Sequence, residues 1–332
     1  MFWVIIKIIV GFVVSFIAIA LALIVSQSPT PILPAADKGL NFDQSLEQNY
    51  DDLPDQQKYK TKNADFLNYR LYESSIPTNK IVIFIHGSGW HGMQFHTLAK
   101  ALAKTGVAQI IVPDLRGHGK NPIRRGDIDY IEQFEDDLTD LIDHVSKPNS
   151  KIIIAGHSSG GGLVVRFAGG ASNAKADGFI LLAPFLKYNA TTTRLNSGGW
   201  AHPATRRIIG LSMLNKIGIK VFNHLPVISF AMPQHVLDGP LGDTATTQYS
   251  YRLNTGYAPR DDFKADLAKL KQPFLLIVGL DDESFIPQEY KKLIEPLTSA
   301  GEYRLLEGVN HLGVVNSRES QLTIEGWLTK NM

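Results

Sequence analysis

The chain has 332 residues, enough for one large α/β domain with an insertion or for two smaller domains. Its formal charge of +1 gives no electrostatic basis for binding nucleic acid or a strongly acidic partner. Cysteine is absent, which excludes disulfides, a thiol nucleophile and thiolate metal sites, and leaves the redox compartment open.

Phe2 to Val25 is almost wholly apolar, with Lys7 as its one charge. Ile8 to Val25 alone is long enough to span a hydrocarbon core. The stretch has no polar face, so it reads poorly as a buried globular helix. The contest is between an uncleaved anchor and a cleaved signal peptide. The apolar run is longer than a usual signal core. The small-residue sites Ala18-Ile19-Ala20 and Ala20-Leu21-Ala22 would be cut inside it. Both facts favour a single-pass transmembrane anchor over residues 1–25. The positive charge of Lys7 and the amino terminus leads the segment, so the terminus is expected in the cytoplasm and the body outside it. Residues 26–57 read as linker and lead-in: 26–34 (SQSPTPILP) is rich in Pro and Ser, and 37–57 is polar and acidic.

Tyr59 to Tyr72 alternates in a way that suits a two-stranded start to a sheet. Lys80 to Ile85 (KIVIFI) is a buried strand, followed at once by His86-Gly87-Ser88-Gly89-Trp90-His91-Gly92. Leu98 to Ala103 gives a helical apolar stripe ended by Gly106. Ala108 to Val112 is the next strand and leads into Pro113-Asp114-Leu115-Arg116-Gly117-His118-Gly119. Tyr130 to Val145 is an amphipathic helix with an acidic face. Further strands are expected at Ile152–Ala155, Gly178–Ala183, Phe274–Val278 and Glu302–Leu306, and a closing helix at Ser317–Leu328. Strands alternating with helices imply a mostly parallel central sheet flanked by helices. Between Pro184 and Gln272 the rhythm breaks and no clear buried strand is seen. Arg206 to Pro233 is apolar and helix-like, so residues 187–272 are expected to form a helical cap over the strand ends, between core parts at 58–186 and 273–332.

The most informative stretch is Lys151 to Ala168 (KIIIAGHSSGGGLVVRFA). A β-branched run is followed by Gly156-His157-Ser158-Ser159-Gly160, a G-x-S-x-G, and then by an apolar helix. Strand before and helix after are the context in which this motif is a nucleophile elbow: the glycines permit a sharp turn, and Ser158 stands on a rigid mount. The Gly160-Gly161-Gly162 run lacks the lysine of a phosphate loop, and nucleotide binding is rejected.

With the elbow, the HGSG loop and the DLRGHG loop in this order, the chain resembles the α/β-hydrolase superfamily. Within it, the chain is most similar to the monoglyceride lipase, lysophospholipase and serine-aminopeptidase branch, over roughly Tyr59 to Leu328. The resemblance implies a serine hydrolase that needs no cofactor or metal. It implies a triad in the chain order Ser, acid, His. Ser158 is the nucleophile. His311, in the Gly-bounded loop Glu307 to Gly313, corresponds to the base; His202, His224 and His235 fall in the expected cap. The acid should lie in Gly279-Leu280-Asp281-Asp282-Glu283, where the family pattern G-x-x-D selects Asp282. Asp281 stands one residue away and Glu283 is a third option. The oxyanion donors are the backbone N–H groups of Ser159 and Ser88, with Gly89 the near alternative to Ser88. The resemblance makes His86 a packing residue beneath its loop and the Asp114, Arg116, His118 cluster a structural loop rather than a metal site. His157 is expected to pack, because neighbours on an elbow point apart.

The expected reaction is hydrolysis of a carboxylic ester by acyl transfer through Ser158. The apolar cap and the anchor suggest a small-molecule, lipid-like or hydrophobic ester of the lysophospholipase, monoacylglycerol lipase or carboxylesterase kind. A peptidase trimming N-terminal residues is the rival enzyme; it would use a cap carboxylate such as Asp238, Asp243, Asp261 or Asp262 to hold the substrate amine. A non-catalytic, membrane-tethered binding protein on a hydrolase fold is the third reading. Oligomeric state is not legible in the sequence.

Overall fold

The computed structural model describes residues 1–30 and 40–332. The linker and lead-in expected at 26–34 and 37–57 therefore fall partly outside the described residues. Among the described residues, eight strands form one sheet: β1 (Gln56–Lys60), β2 (Phe66–Tyr72), β3 (Lys80–Ile85), β4 (Gln109–Pro113), β5 (Lys151–His157), β6 (Gly178–Leu182), then, after three short strands elsewhere, Phe274–Gly279 and Gly301–Leu306. The three short strands, β7 (Ala201–Pro203), β8 (Pro226–Phe230) and β9 (Gln248–Ser250), make a separate antiparallel sheet, so the last two strands of the main sheet are β10 and β11. The main sheet runs β1-β2-β4-β3-β5-β6-β10-β11. β1 pairs antiparallel with β2, and β2 with β4; all other pairs are parallel.

β3, β5, β6 and β10 are covered on both faces, which is why they read as unbroken apolar runs rather than alternating ones. The principal helices are α1 (Phe2–Val25), α2 (His96–Thr105), α3 (Gln133–Val145), α4 (Ser159–Ala168), α5 (Thr205–Lys216) and α6 (Arg318–Asn331). Gly106, at φ +78°, ends α2 in the left-handed region. Ser317 starts α6, its hydroxyl accepting from the Ser320 N–H. From β3 the chain moves to β4 on one side and then returns to β5 on the other. The strand order thus reverses between β3 and β5, and the crevice at their carboxyl ends is where open α/β sheets bind ligands.

The segment at 187–272 departs from the sequence-based expectation. It is not helical throughout, and it holds strands where none was seen. Helix α5 covers only the first part of Arg206 to Pro233. Beyond Lys216 the chain turns through Gly218, at φ +83°, and Pro226 opens β8, whose Val227 to Phe230 are buried. Pro226 lacks the N–H that a continued helix would need, and the β-branched Val227 and Ile228 favour a strand.

Helix α1 extends roughly 36 Å by its 24 residues at 1.5 Å rise. Among the described residues it is the one helix long and apolar enough to cross a membrane. Most of it is exposed, but Ala20 and Ile24 are buried against α5. The approach is close at Gly210, where an added Cβ would lie 2.5 Å from the Ala20 carbonyl oxygen. Arg207 Nε donates to the Ile24 carbonyl at 3.0 Å, and the Arg206 N–H to Gln27 Oε1 at 2.8 Å.

Candidate active site

Ser158 sits between β5 and α4 with φ +53° and ψ −119°, a conformation that costs an L-residue about 1–3 kcal/mol. Backbone hydrogen bonds hold it there. Its N–H donates to the Leu182 carbonyl at 2.9 Å, and its carbonyl accepts from Gly162 at 3.0 Å and Phe185 at 2.9 Å. The two motif glycines are required by contact rather than by φ. A Cβ on Gly156 would strike the Gly160 carbonyl, and a Cβ on Gly160 would strike the carbonyls of Ile85 and His86 at the end of β3.

Asp282 leaves β10 and His311 follows β11, and the two meet at neighbouring strand ends. His311 Nδ1 lies 2.8 Å from Asp282 Oδ2. A carboxylate can only accept, so Nδ1 carries a proton, and in the neutral imidazole Nε2 keeps its lone pair. The other carboxylate oxygen accepts from the Ser284 N–H at 2.8 Å and the Phe285 N–H at 2.7 Å. Asp282 is 2% exposed. Burial alone would raise its pKa, but His311 beside it and the Phe285 and Ser284 N–H groups outweigh burial and hold it below the ordinary carboxylate value. Asp281 is exposed and does not share this arrangement. Glu283 takes a third role that sequence reasoning missed: its Oε2 accepts the His311 backbone N–H at 2.8 Å and fixes the histidine loop.

His157, next to Ser158, is buried and joins two loops. Its Nε2 donates to the His311 carbonyl at 3.0 Å, and its Nδ1 accepts from Gln94 Nε2 at 3.2 Å. Gln94 Oε1 in turn accepts the Gly87 N–H at 3.3 Å. The histidine loop and the loop after β3 are thereby joined under the site. Burial, then the neighbouring His311, hold the His157 pKa well below the usual imidazole value, consistent with a neutral ring making one donor and one acceptor bond.

His86 lies beneath its loop. Its Nε2 accepts the Leu115 N–H at 3.1 Å, so the proton is on Nδ1, which donates to the Gly87 carbonyl at 2.9 Å. Asp114, Arg116 and His118 do not converge on a common point. Asp114 accepts from the Gly92 N–H at 2.8 Å and Gln56 Nε2 at 2.9 Å. Arg116 makes a bidentate pair with Asp137, 2.8 Å in each arm. His118 turns to Tyr249, 2.6 Å from its Nε2.

Ser88, Ser158 and Ser159 line one cavity, whose walls include Phe185, Trp200, Ile228, Phe230 and Phe285. A second cavity is lined by His311 and His157 together with Ser88 and Ser158. Trp200, Ile228 and Phe230 come from the segment at 187–272. Gly89, the alternative to Ser88, has its N–H committed to Tyr249 Oη at 2.6 Å.

Residues 76–316 match the Hydrolase_4 family model, described as serine aminopeptidase, S33. A probable protein phosphatase methylesterase 1 of Caenorhabditis elegans is 28% identical over 138 residues, 41% of this chain. The match spans only 37% of that relative's length. The fold is shared with a monoacylglycerol lipase of Paleococcus ferrophilus, at TM-score 0.60 and 20% identity over 80% of this chain and 99% of that one. It is also shared with a monoglyceride lipase of Saccharomyces cerevisiae, at TM-score 0.61 and 18% identity over 88% of this chain and 99% of that one. A family model that covers most of the chain, on an eight-stranded sheet whose strand order reverses at the serine elbow, has one consequence: this chain belongs to the serine aminopeptidase S33 family of hydrolases and has the α/β-hydrolase fold.

Proposed function

We propose that the protein is a membrane-anchored serine hydrolase that cleaves a hydrophobic or lipid-like carboxylic ester through Ser158, His311 and Asp282. The observation that carries this reading is the 2.8 Å Asp282–His311 hydrogen bond, set beside the strained Ser158 in a cavity with apolar walls. With its proton fixed on Nδ1, His311 offers Nε2 as the base for the Ser158 hydroxyl. The alkoxide adds to the ester carbonyl. The N–H groups of Ser88 and Ser159 receive the negative charge that develops on the carbonyl oxygen. His311 then protonates the leaving alcohol, and the acyl group remains on Ser158. Water, deprotonated by His311, attacks the acyl-enzyme, and the acid leaves as His311 returns the proton to the Ser158 oxygen.

The cavity wall favours an ester over a peptide amine. A free α-ammonium needs a carboxylate partner, and none of the described residues lining the Ser158 cavity carries one. The four cap aspartates are placed elsewhere. Asp238 accepts from Gln234, Asp261 pairs with Lys187, Asp262 caps a short helix through the Ala265 N–H, and Asp243 lines a different cavity. The monoacylglycerol and monoglyceride lipases that share the fold support the same substrate class. Packing of Ala20 and Ile24 against α5 supports a retained anchor, since cleavage after Ala20 or Ala22 would remove part of a buried contact. The orientation follows from Lys7: terminus in the cytoplasm, catalytic body outside.

The test is a series of esters of rising acyl length, including monoacylglycerols, and amino-acid arylamides, with full-length protein in detergent. Turnover should rise with acyl length and be negligible on the arylamides. Preference for acetyl esters or for arylamides would overturn the substrate assignment.

A further inference from the structure

The loop that carries Ser88 is held from the cap side as well as from below. Two adjoining peptide groups are fixed separately. In the first, the Gly87 carbonyl accepts from His86 Nδ1 at 2.9 Å. Because a trans peptide sets its C=O and N–H in opposite directions, this bond aims the Ser88 N–H away from His86. In the second, the Gly89 N–H donates to Tyr249 Oη at 2.6 Å. The Gly89 carbonyl accepts from the Thr246 N–H at 2.9 Å, and Ser88 Oγ accepts from Trp200 Nε1 at 3.0 Å. Tyr249, Thr246 and Trp200 all belong to the segment at 187–272.

We infer that Tyr249 is a positioning residue for the oxyanion hole, and that seating of the cap sheet β7–β9 and orientation of the Ser88 N–H are one event. The inference rests on the reading of Ser88 as an oxyanion donor. Proton directions along the relay are forced by its two ends. The Arg116 carbonyl can only accept, so His118 Nδ1, 3.0 Å away, donates to it. His118 Nε2 is then the acceptor, and the Tyr249 hydroxyl must donate to it across 2.6 Å. The Tyr249 oxygen is left to accept from Gly89, which can only donate. Burial pushes the Tyr249 phenol up and the His118 imidazole well down, so both stay neutral and the relay keeps this direction. Since its one proton is given to His118, Tyr249 has none for the substrate. It acts through Gly89 rather than on the reacting atoms. Its ring is wedged between Phe230 and His118, with centroids 4.7 and 5.1 Å away, and it lines the Ser158 cavity. A substrate filling that cavity therefore presses on the residue that holds the oxyanion loop.

The experiment compares Tyr249→Phe and His118→Ala with the parent and with Ser158→Ala, as full-length protein in detergent. Tyr249→Phe keeps the ring and loses the acceptor for Gly89. Its kcat should fall by about tenfold or more, with KM within about twofold, since loss of a whole oxyanion donor costs ~10²–10³. Affinity for a trifluoromethyl ketone, which forms a charged tetrahedral adduct, should fall by the same factor, while affinity for the product carboxylate stays unchanged. His118→Ala should move kcat in the same direction. Unchanged kcat and ketone affinity in Tyr249→Phe would overturn the inference, as would equal losses in kcat, KM and product affinity, which would mark a general structural defect. Turnover retained by Ser158→Ala would instead sink the underlying reading of the site.

Discussion

His311 Nδ1 and Asp282 Oδ2 lie 2.8 Å apart although 29 residues separate them, because β10 and β11 are parallel neighbours and both loops leave the same edge of the sheet. The adjacent Asp281 is exposed. Asp282→Asn should lower kcat by about 10⁴, the size of effect seen when an orienting aspartate is neutralised and the histidine takes the wrong tautomer. Asp281→Asn should stay within about twofold. Steady-state kinetics on one ester decides between the two carboxylates. The same pair predicts a pH effect on stability. The folded pKa of Asp282 is depressed, so its contribution is present above the unfolded value of about 4 and is lost as pH falls through the folded value. The Tm difference between parent and Asp282→Asn should therefore be full at neutral pH and shrink below about pH 4.

Glu283 holds the His311 backbone rather than its ring. Glu283→Gln keeps an acceptor oxygen and should leave kcat/KM within about threefold. Glu283→Ala leaves a part-buried N–H unpaired, at a cost of about 1–3 kcal/mol, and should lower both Tm and kcat/KM. Equal behaviour of the two variants would contradict the assignment.

The elbow stores strain in Ser158, at φ +53°. Ser158→Gly can adopt that backbone without penalty, whereas Ser158→Ala cannot. Both variants should be inactive, and the glycine form should melt higher than the alanine form. Gly160→Ala, by contrast, drives a methyl into the carbonyls of Ile85 and His86 and should destabilise by about 1–3 kcal/mol. Thermal melts of the three variants test the elbow geometry independently of any substrate.

The contact between α1 and α5 gives a fourth prediction. Gly210→Ile places a side chain against the Ala20 carbonyl and Ile24. The variant should lose about 1–3 kcal/mol in detergent and still resist extraction from membranes by alkaline wash. An unchanged Tm would contradict the docking of α1. A mature mass lacking residues 1–25 would contradict the anchor.

Much of this was legible in the sequence for physical reasons. Strands buried on both faces, such as Ile81 to Ile85 and Ile152 to Ala155, leave continuous apolar runs. The elbow glycines are demanded by backbone contact, and the loops that carry Asp282 and His311 follow strands that can be counted. The small sheet β7–β9 was not legible, because strands such as Ala201–Pro203 and Gln248–Ser250 are too short to show a period. The supporting hydrogen bonds were hidden for a different reason. Gly89 and Tyr249 are 160 residues apart, and His157 and His311 are 154 apart, so no local pattern joins them. Glu283 was visible as a carboxylate near the right place, but its bond to a backbone N–H leaves no mark in the sequence.

The central claim is that Ser158 is the nucleophile. The most direct measurement is labelling of the full-length protein with a fluorophosphonate, followed by peptide mapping. The account predicts one adduct per chain, on Ser158, with labelling and ester turnover both lost in Ser158→Ala. An adduct on another residue, or a folded Ser158→Ala protein that still hydrolyses the ester, would contradict it.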